Sequence, residues 1–354
     1  MNQTTDRLRL AYFALATFVV VFAVYNAFAQ GDHLGGDIGL AASSLGAAIA
    51  WFVHRRLAAK HVPARSLTDL RGDGHVDDKL FKLLAVGAAT LVLLILGLIA
   101  VTMTNRALPV LRTMGIKFFT SSTWSEHDGV FGALPYIWGT IYTSAIAIVI
   151  AVPISLGVAL YITQIAPVRL KKPLVYLIDL LAVVPSVVFG LWGVLALAPH
   201  LGRSFLTAGI ILAIMITPII TSLAREVIET TAQADKEAAY ALGATRWEMI
   251  TAAVLPHSKG GLVGAVMLGL GRAMGETIAA ALVIGSSPQI ALSPFKSGDS
   301  MPAVIANQWG EASDLQKSAL IALAVTLFVM TIVVNLVASR IVQRSLAKSR
   351  GVGG

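Results

Sequence analysis

The residues best placed to do chemistry lie in Gly271-Arg272-Ala273-Met274-Gly275-Glu276-Thr277, within the long apolar run 262–285. Read as a helix entered near residue 262, this run carries Arg272 about 15 Å inward, close to the middle of a bilayer. An arginine at that depth costs about 2.5–3.5 kcal/mol on insertion scales. Glu276 follows one turn later on the same face and offsets part of that cost. Guanidinium presents a planar fork of donors to a tetrahedral oxyanion and stays charged at any working pH. Glu276 can orient that fork or accept from a protonated oxyanion. The chemistry is that of an anion site on a membrane pathway; the competing role is an ion pair that only fixes helix packing. Gly271 and Gly275 form a small-xxx-small pair, which predicts close approach of another helix. Asp179 is more ambiguous, because it sits nearer the inner surface, where Lys171, Lys172 or water can satisfy it.

The second informative stretch is Asp235–Pro256, a polar island between apolar runs. Asp235 is expected to cap a short helix that Gly243 ends in a left-handed conformation. Thr245 followed three residues later by Glu248 predicts a capping box and a second helix running towards Pro256. Glu237, Ala238, Ala239, Gly243, Leu255 and Pro256 fall at the spacing of the coupling loop of ABC-importer permeases, which this stretch resembles. That loop reads EAA, three residues, Gly, nine residues, Ile, one residue, Leu-Pro; Ala253 stands here where the family has Ile. The resemblance implies that these residues couple the chain to a separate ATPase. The chain itself has no Gly-Lys dipeptide and hence no Walker A loop.

The elements that must carry these residues follow from hydropathy. The 354 residues are 56% hydrophobic and 13% charged, against about 25% charged in soluble domains. Apolar runs long enough to span a bilayer fall at 10–29, 38–53, 83–104, 139–163, 174–198, 205–223, 262–285 and 319–342. Eight spans place both termini on one side. With both inside, twenty of the 27 Lys and Arg residues fall in or beside cytoplasmic segments and six outside, Arg272 alone lying deep in a span. The net charge of +8 is thereby explained by topology, without nucleic acid. The expected class is an all-α integral membrane protein in the bacterial inner membrane. Its parts are an N-terminal hairpin (1–54), a polar cytoplasmic linker (55–82), a six-span permease core (83–345) with a cytoplasmic loop at 225–260, and a tail (346–354). The first run is read as a retained helix; its end at Ala27-Phe28-Ala29 admits a cleaved signal peptide as the alternative.

Two outer segments are too long for turns. One, 105–138, carries Phe118, Phe119, Trp124, Phe131, Tyr136 and Trp138, which predicts aromatic packing at the membrane interface. The other, 286–317, contains Ser300-Met301-Pro302, a helix start. Pro153, Pro185 and Pro218 fall inside spans and mark possible hinges. With no cysteine, disulfides, thiolate catalysis and zinc–thiolate sites are excluded. The seven histidines are scattered without ligand spacing, no nucleophile–base set is visible, and no cofactor is expected.

Taken with 271–277, the segments Phe131-Gly132-Ala133-Leu134-Pro135 and Val184-Pro185-Ser186-Val187-Val188-Phe189-Gly190-Leu191-Trp192-Gly193 resemble the PstC-type permease subunits of phosphate-specific importers. The likeness covers the chain from about residue 83 onwards. It implies a type I ABC importer in which the chain pairs with a PstA-like second permease. Two ATPase copies would bind inside and a phosphate-binding protein outside. It also implies that Arg272 and Glu276 handle phosphate; spacing alone gives only an anion-permissive path. A permease for sulfate or molybdate, and an ion-coupled secondary transporter needing no ATPase, remain the competing readings.

Overall fold

The computed structural model describes residues 74–350. The expected spans at 10–29 and 38–53 lie outside the described residues. The chain divides into two compact units, 1–98 and 99–354; the first is represented here by the opening turns of one helix. That helix, α1 (Gly74–Met114), begins inside the stretch read as linker.

The second unit is helical apart from a two-stranded antiparallel ribbon, β1 (Trp124–Ser125) with β2 (Val130–Phe131). After α1 come the short α2 (Lys117–Thr120), α3 (Leu134–Leu160), α4 (Val168–Val183), α5 (Ser186–Trp192) and α6 (Ala198–Leu201). Next are α7 (Phe205–Glu229), α8 (Gln233–Ala241), α9 (Arg246–Met249), α10 (Leu255–Met274), α11 (Ile278–Val283), α12 (Met301–Gln308) and α13 (Asp314–Arg350). Among the described residues five helices are long and apolar enough to cross a membrane, or six if α4 and the α5–α6 stretch form one bent span. The six core spans expected from hydropathy thus all have a helical counterpart.

The span expected at 174–198 is bent by 87°. The bend falls at Pro185, the N-cap of α5, whose preceding residue is held out of helical geometry by the ring. Pro153 and Pro218, by contrast, lie inside α3 and α7, which run on past them. Of the three expected hinges, therefore, one is a break.

Three π-helical turns, Tyr161–Ile165, Gly193–Leu197 and Ile250–Val254, each end two residues before a proline: Pro167, Pro199 and Pro256. Proline brings no N–H to the carbonyl one turn back and crowds it. A wider turn just upstream redistributes those hydrogen bonds, so that α9 continues through the π turn into α10 as one helical span.

The centre of the unit is α7, with 61% of its most apolar window buried. It packs along α3 through small residues: Gly209 sits against Ile146, Ala147 and Ala151 meet Ala213, and Ser155 Oγ donates to Thr217 O at 3.1 Å. α10 packs against both α7 and α3. Gly269 faces Ile220, where an added Cβ would come within 2.6 Å of the isoleucine side chain, and Gly261 faces Val227. These are the close-approach glycines of α10. Gly271 has nothing within 4 Å of a built Cβ, and Gly275 meets only the Gly271 carbonyl at 3.4 Å. The expectation that Gly271 and Gly275 admit a neighbouring helix is not met among the described residues, to which their face is open.

At one end of the bundle, Phe118, Phe131, Tyr136 and Met301 form the core that joins α1, α3, α12 and α13. Trp124 packs edge-on against Phe131 and Tyr136, ring centroids 5.0 Å apart in both cases. The aromatic cluster read from 105–138 thus closes one end of the bundle. Ser300 is the N-cap position of α12 with Pro302 in its first turn, as that stretch predicts.

Candidate functional site

Arg272 and Glu276 are brought together, but not on one uninterrupted helix. α10 ends at Met274, Gly275 is its C-cap, and a new helix, α11, begins at Ile278. Glu276 stands in the gap. Its Oε1 accepts from Ala279 N at 3.3 Å, so the carboxylate serves the exposed N–H groups at the start of α11. Its Oε2 lies 3.9 Å from Arg272 Nη2. The Glu276 side chain is 6% exposed and that of Arg272 49%. A carboxylate fixed from two sides therefore holds one flank of a guanidinium whose remaining donors face open space. A span broken near its middle, with a charge at the break, is how membrane transporters present polar groups to a solute. The run 262–285 read as one helix was too simple; the break is what lets Glu276 satisfy both partners.

The face around this pair is open and small-sided. Gly271 and Gly275 flank Arg272 without a neighbour, and Leu268 is 61% exposed. Inward, Ala273 and Met274 pack into the bundle. The pair is thus supported from behind by α7 and presented outward.

Asp179 is not held by Lys171 or Lys172. Ser222 Oγ of α7 donates to its Oδ1 at 3.3 Å, while Lys171 Nζ donates to Thr163 O at 3.0 Å. Asp179 ties α4 to α7, an arrangement that sequence spacing across two helices does not reveal.

The loop residues form a helix–turn–helix. α8 starts two residues before Asp235, with Ala232 as N-cap and no side-chain cap, so Asp235 lies in the first turn instead of capping it. Its charge still favours that end of the helix. Gly243 has φ 83°, the left-handed turn expected of it. Thr245 accepts from Glu248 N at 3.3 Å, and Glu248 Oε2 accepts from Thr245 N at 2.7 Å, a complete capping box. Ala239 and Leu255 pack with Met249, Ile250 and Val254 beneath the end of α7, fixing the angle between the two helices. Glu237, Ala238 and Pro256 are exposed, and Glu237 accepts from Gln233 Nε2 at 3.2 Å. Leu242 (90% exposed) and Trp247 (65%) add an apolar rim that the motif residues alone did not predict. An exposed tryptophan and leucine on a rigid turn suit a protein partner.

Residues 152–347 match the family model of the binding-protein-dependent transport system inner membrane component. The phosphate transport system permease protein PstC of Xylella fastidiosa is 39% identical over 81% of this chain and 95% of its own length. PstC 2 of Mycobacterium tuberculosis is 38% identical over 79% of this chain and 95% of its length. Among solved structures, a bacterial alginate ABC transporter chain aligns with TM-score 0.55 at 17% identity, over 76% of this chain and 97% of that one. A MetNI methionine ABC transporter chain gives 0.51 at 16%, over 59% and 94%. At such identities the structural likeness speaks to the fold alone. A broken span, an exposed helix–turn–helix and the family match converge: this chain belongs to the inner-membrane permease components of binding-protein-dependent ABC importers, a family that works with an ATPase and a binding protein.

Proposed function

We propose that this chain is the phosphate-conducting permease subunit of an ATP-driven importer, with Arg272 and Glu276 as the oxyanion site. The observation that carries the reading is the half-exposed Arg272 guanidinium braced by a buried Glu276 carboxylate at the break between α10 and α11. Relatives named as phosphate permeases, similar over 81% and 79% of this chain, support the substrate. A second, PstA-like permease would close the open Gly271–Gly275 face, so that the path runs between the two subunits. Glu237, Ala238, Ala239, Gly243, Leu255 and Pro256 form the seat for an ATPase subunit, one of a pair, and the chain itself performs no catalysis. The loop at 225–260 lies on the cytoplasmic side, as do both termini.

The test is ATP-driven uptake of labelled phosphate into vesicles that hold the full complex and its binding protein, with wild type beside Arg272→Gln. Uptake blocked by arsenate, spared by sulfate and lost in an assembled Arg272→Gln complex supports substrate and site together. Full uptake by the variant reduces Arg272 to a packing charge. Uptake of sulfate or molybdate in place of phosphate assigns the path to that oxyanion.

A further inference from the structure

A second polar site lies where α3, the 286–300 segment and α12 meet. The outer segment 286–300 folds back over the bundle: Ser287 N donates to Gly298 O at 2.9 Å, Gly298 N to Ile284 O at 3.0 Å, and Phe205 N to Lys296 O at 3.1 Å. Gly298 admits the Phe205 ring, and Gly139 of α3 lies against the Asp299 carbonyl. This pinning leaves a half-open pocket of about 460 Å³ lined by Trp124, Tyr136, Arg203, Asp299, Asn307 and Gln308.

Two of these groups are buried and turned to the cavity without full partners. Asp299 is 4% exposed; its Oδ1 accepts from Ser300 N at 2.8 Å, and its other oxygen has no hydrogen-bond partner among the described residues. Tyr136 is 1% exposed, and its hydroxyl has none either. Both atoms open onto the pocket, where water or a ligand can partner them. The remaining lining supplies donors. Gln308 Oε1 accepts from Trp124 Nε1 at 3.0 Å, which leaves its amide nitrogen to donate, and Arg203 carries an exposed charge with no acidic partner among the described residues. Ser286, also on the wall, has φ 52° and accepts from Asn307 Nδ2 at 3.3 Å. A serine in the left-handed region is strain of the kind that functional sites retain.

We propose that this outer cavity is a second, entry-side oxyanion site, in which Asp299 and the bound anion share one proton while Tyr136, Gln308 and Arg203 donate. The assignment rests on the phosphate reading above. Burial raises the Asp299 carboxyl to about 7, so a proton is at hand in the range where phosphate itself carries one. A carboxylate facing a fully deprotonated anion would repel it; a single proton between the two removes that repulsion and disfavours sulfate, which has none at neutral pH.

The test is equilibrium dialysis of labelled inorganic phosphate against the assembled complex, without binding protein. Nanodiscs of phosphatidylcholine are used, so that no phosphomonoester headgroup can occupy the cavity. In the Arg272→Gln background, which removes the first site, the remaining phosphate binding should weaken at least ten-fold on adding Asp299→Asn and several-fold on adding Arg203→Gln, and should resist sulfate. Stimulated ATP hydrolysis reports assembly of each variant, and exposed Arg203 serves if Asp299→Asn does not assemble. Unchanged binding on adding Asp299→Asn or Arg203→Gln overturns the site, as does binding lost in Arg272→Gln alone. Failure of wild-type uptake, by contrast, sinks the phosphate reading itself.

Discussion

Gly269 and Gly271, two positions apart on α10, should respond to the same substitution with opposite signs. An alanine at 269 would put its Cβ 2.6 Å from both Cγ1 and Cδ1 of Ile220, a side chain that is 0% exposed and packed between α3, α7 and α10. Relief requires moving a buried β-branched side chain or parting α10 from α7, which costs about 1–3 kcal/mol. At 271 the added methyl meets nothing within 4 Å, and replacing a helical glycine by alanine gains about 0.5–1 kcal/mol. The two variants should therefore differ by about 1.5–4 kcal/mol. Thermal unfolding of the purified chain in detergent measures this directly: Gly269→Ala should melt well below wild type and Gly271→Ala at or slightly above it. Equal melting, or loss of stability in Gly271→Ala, would refute the packing assigned to α10. The same variants in the assembled complex carry the functional half. If a second permease covers the 271–275 face, Gly271→Ala should impair assembly or uptake in spite of its stable chain.

Three further outcomes follow from the geometry. Thr245→Ala removes the capping box that starts α9 and should weaken the local turn by about 1 kcal/mol; uptake per ATP hydrolysed should fall with little change in the melting of the bundle. Replacing Leu242 or Trp247, both well exposed, by serine should leave the chain folded and reduce ATPase co-purification. The raised Asp299 carboxyl means that the folded chain holds a proton that the unfolded chain releases from about pH 4 upward. Stability from this group is therefore greatest below pH 4 and falls as pH rises to about 7. Asp299→Asn should flatten the melting profile across that window, and a slope unchanged by the substitution would contradict the burial.

How much of this could be read from residues alone divides along physical lines. The capping box at Thr245–Glu248 and the left-handed Gly243 depend on groups within three residues of one another, so their types and spacing specify them in advance. The core spans follow from hydropathy, because lipid requires a long apolar helix whatever its neighbours. Arg272 and Glu276 stood out for the same reason: a charge is conspicuous where the solvent is hydrocarbon. Other features depended on parts of the chain meeting across long separations. The break at Gly275, which lets Glu276 serve both Arg272 and the start of α11, is absent from a periodicity that reads as one helix. Which glycines admit a neighbour is set by where α7 lies, and it is Gly261 and Gly269. Ser222 reaching Asp179, and Asp299 turned into a cavity beside Tyr136, join residues 43 positions apart in the first case and four separate segments in the second. Local rules and the solvent decided the helices and the exceptional charges; only packing decided which faces close, which stay open, and which polar groups are left waiting for a partner.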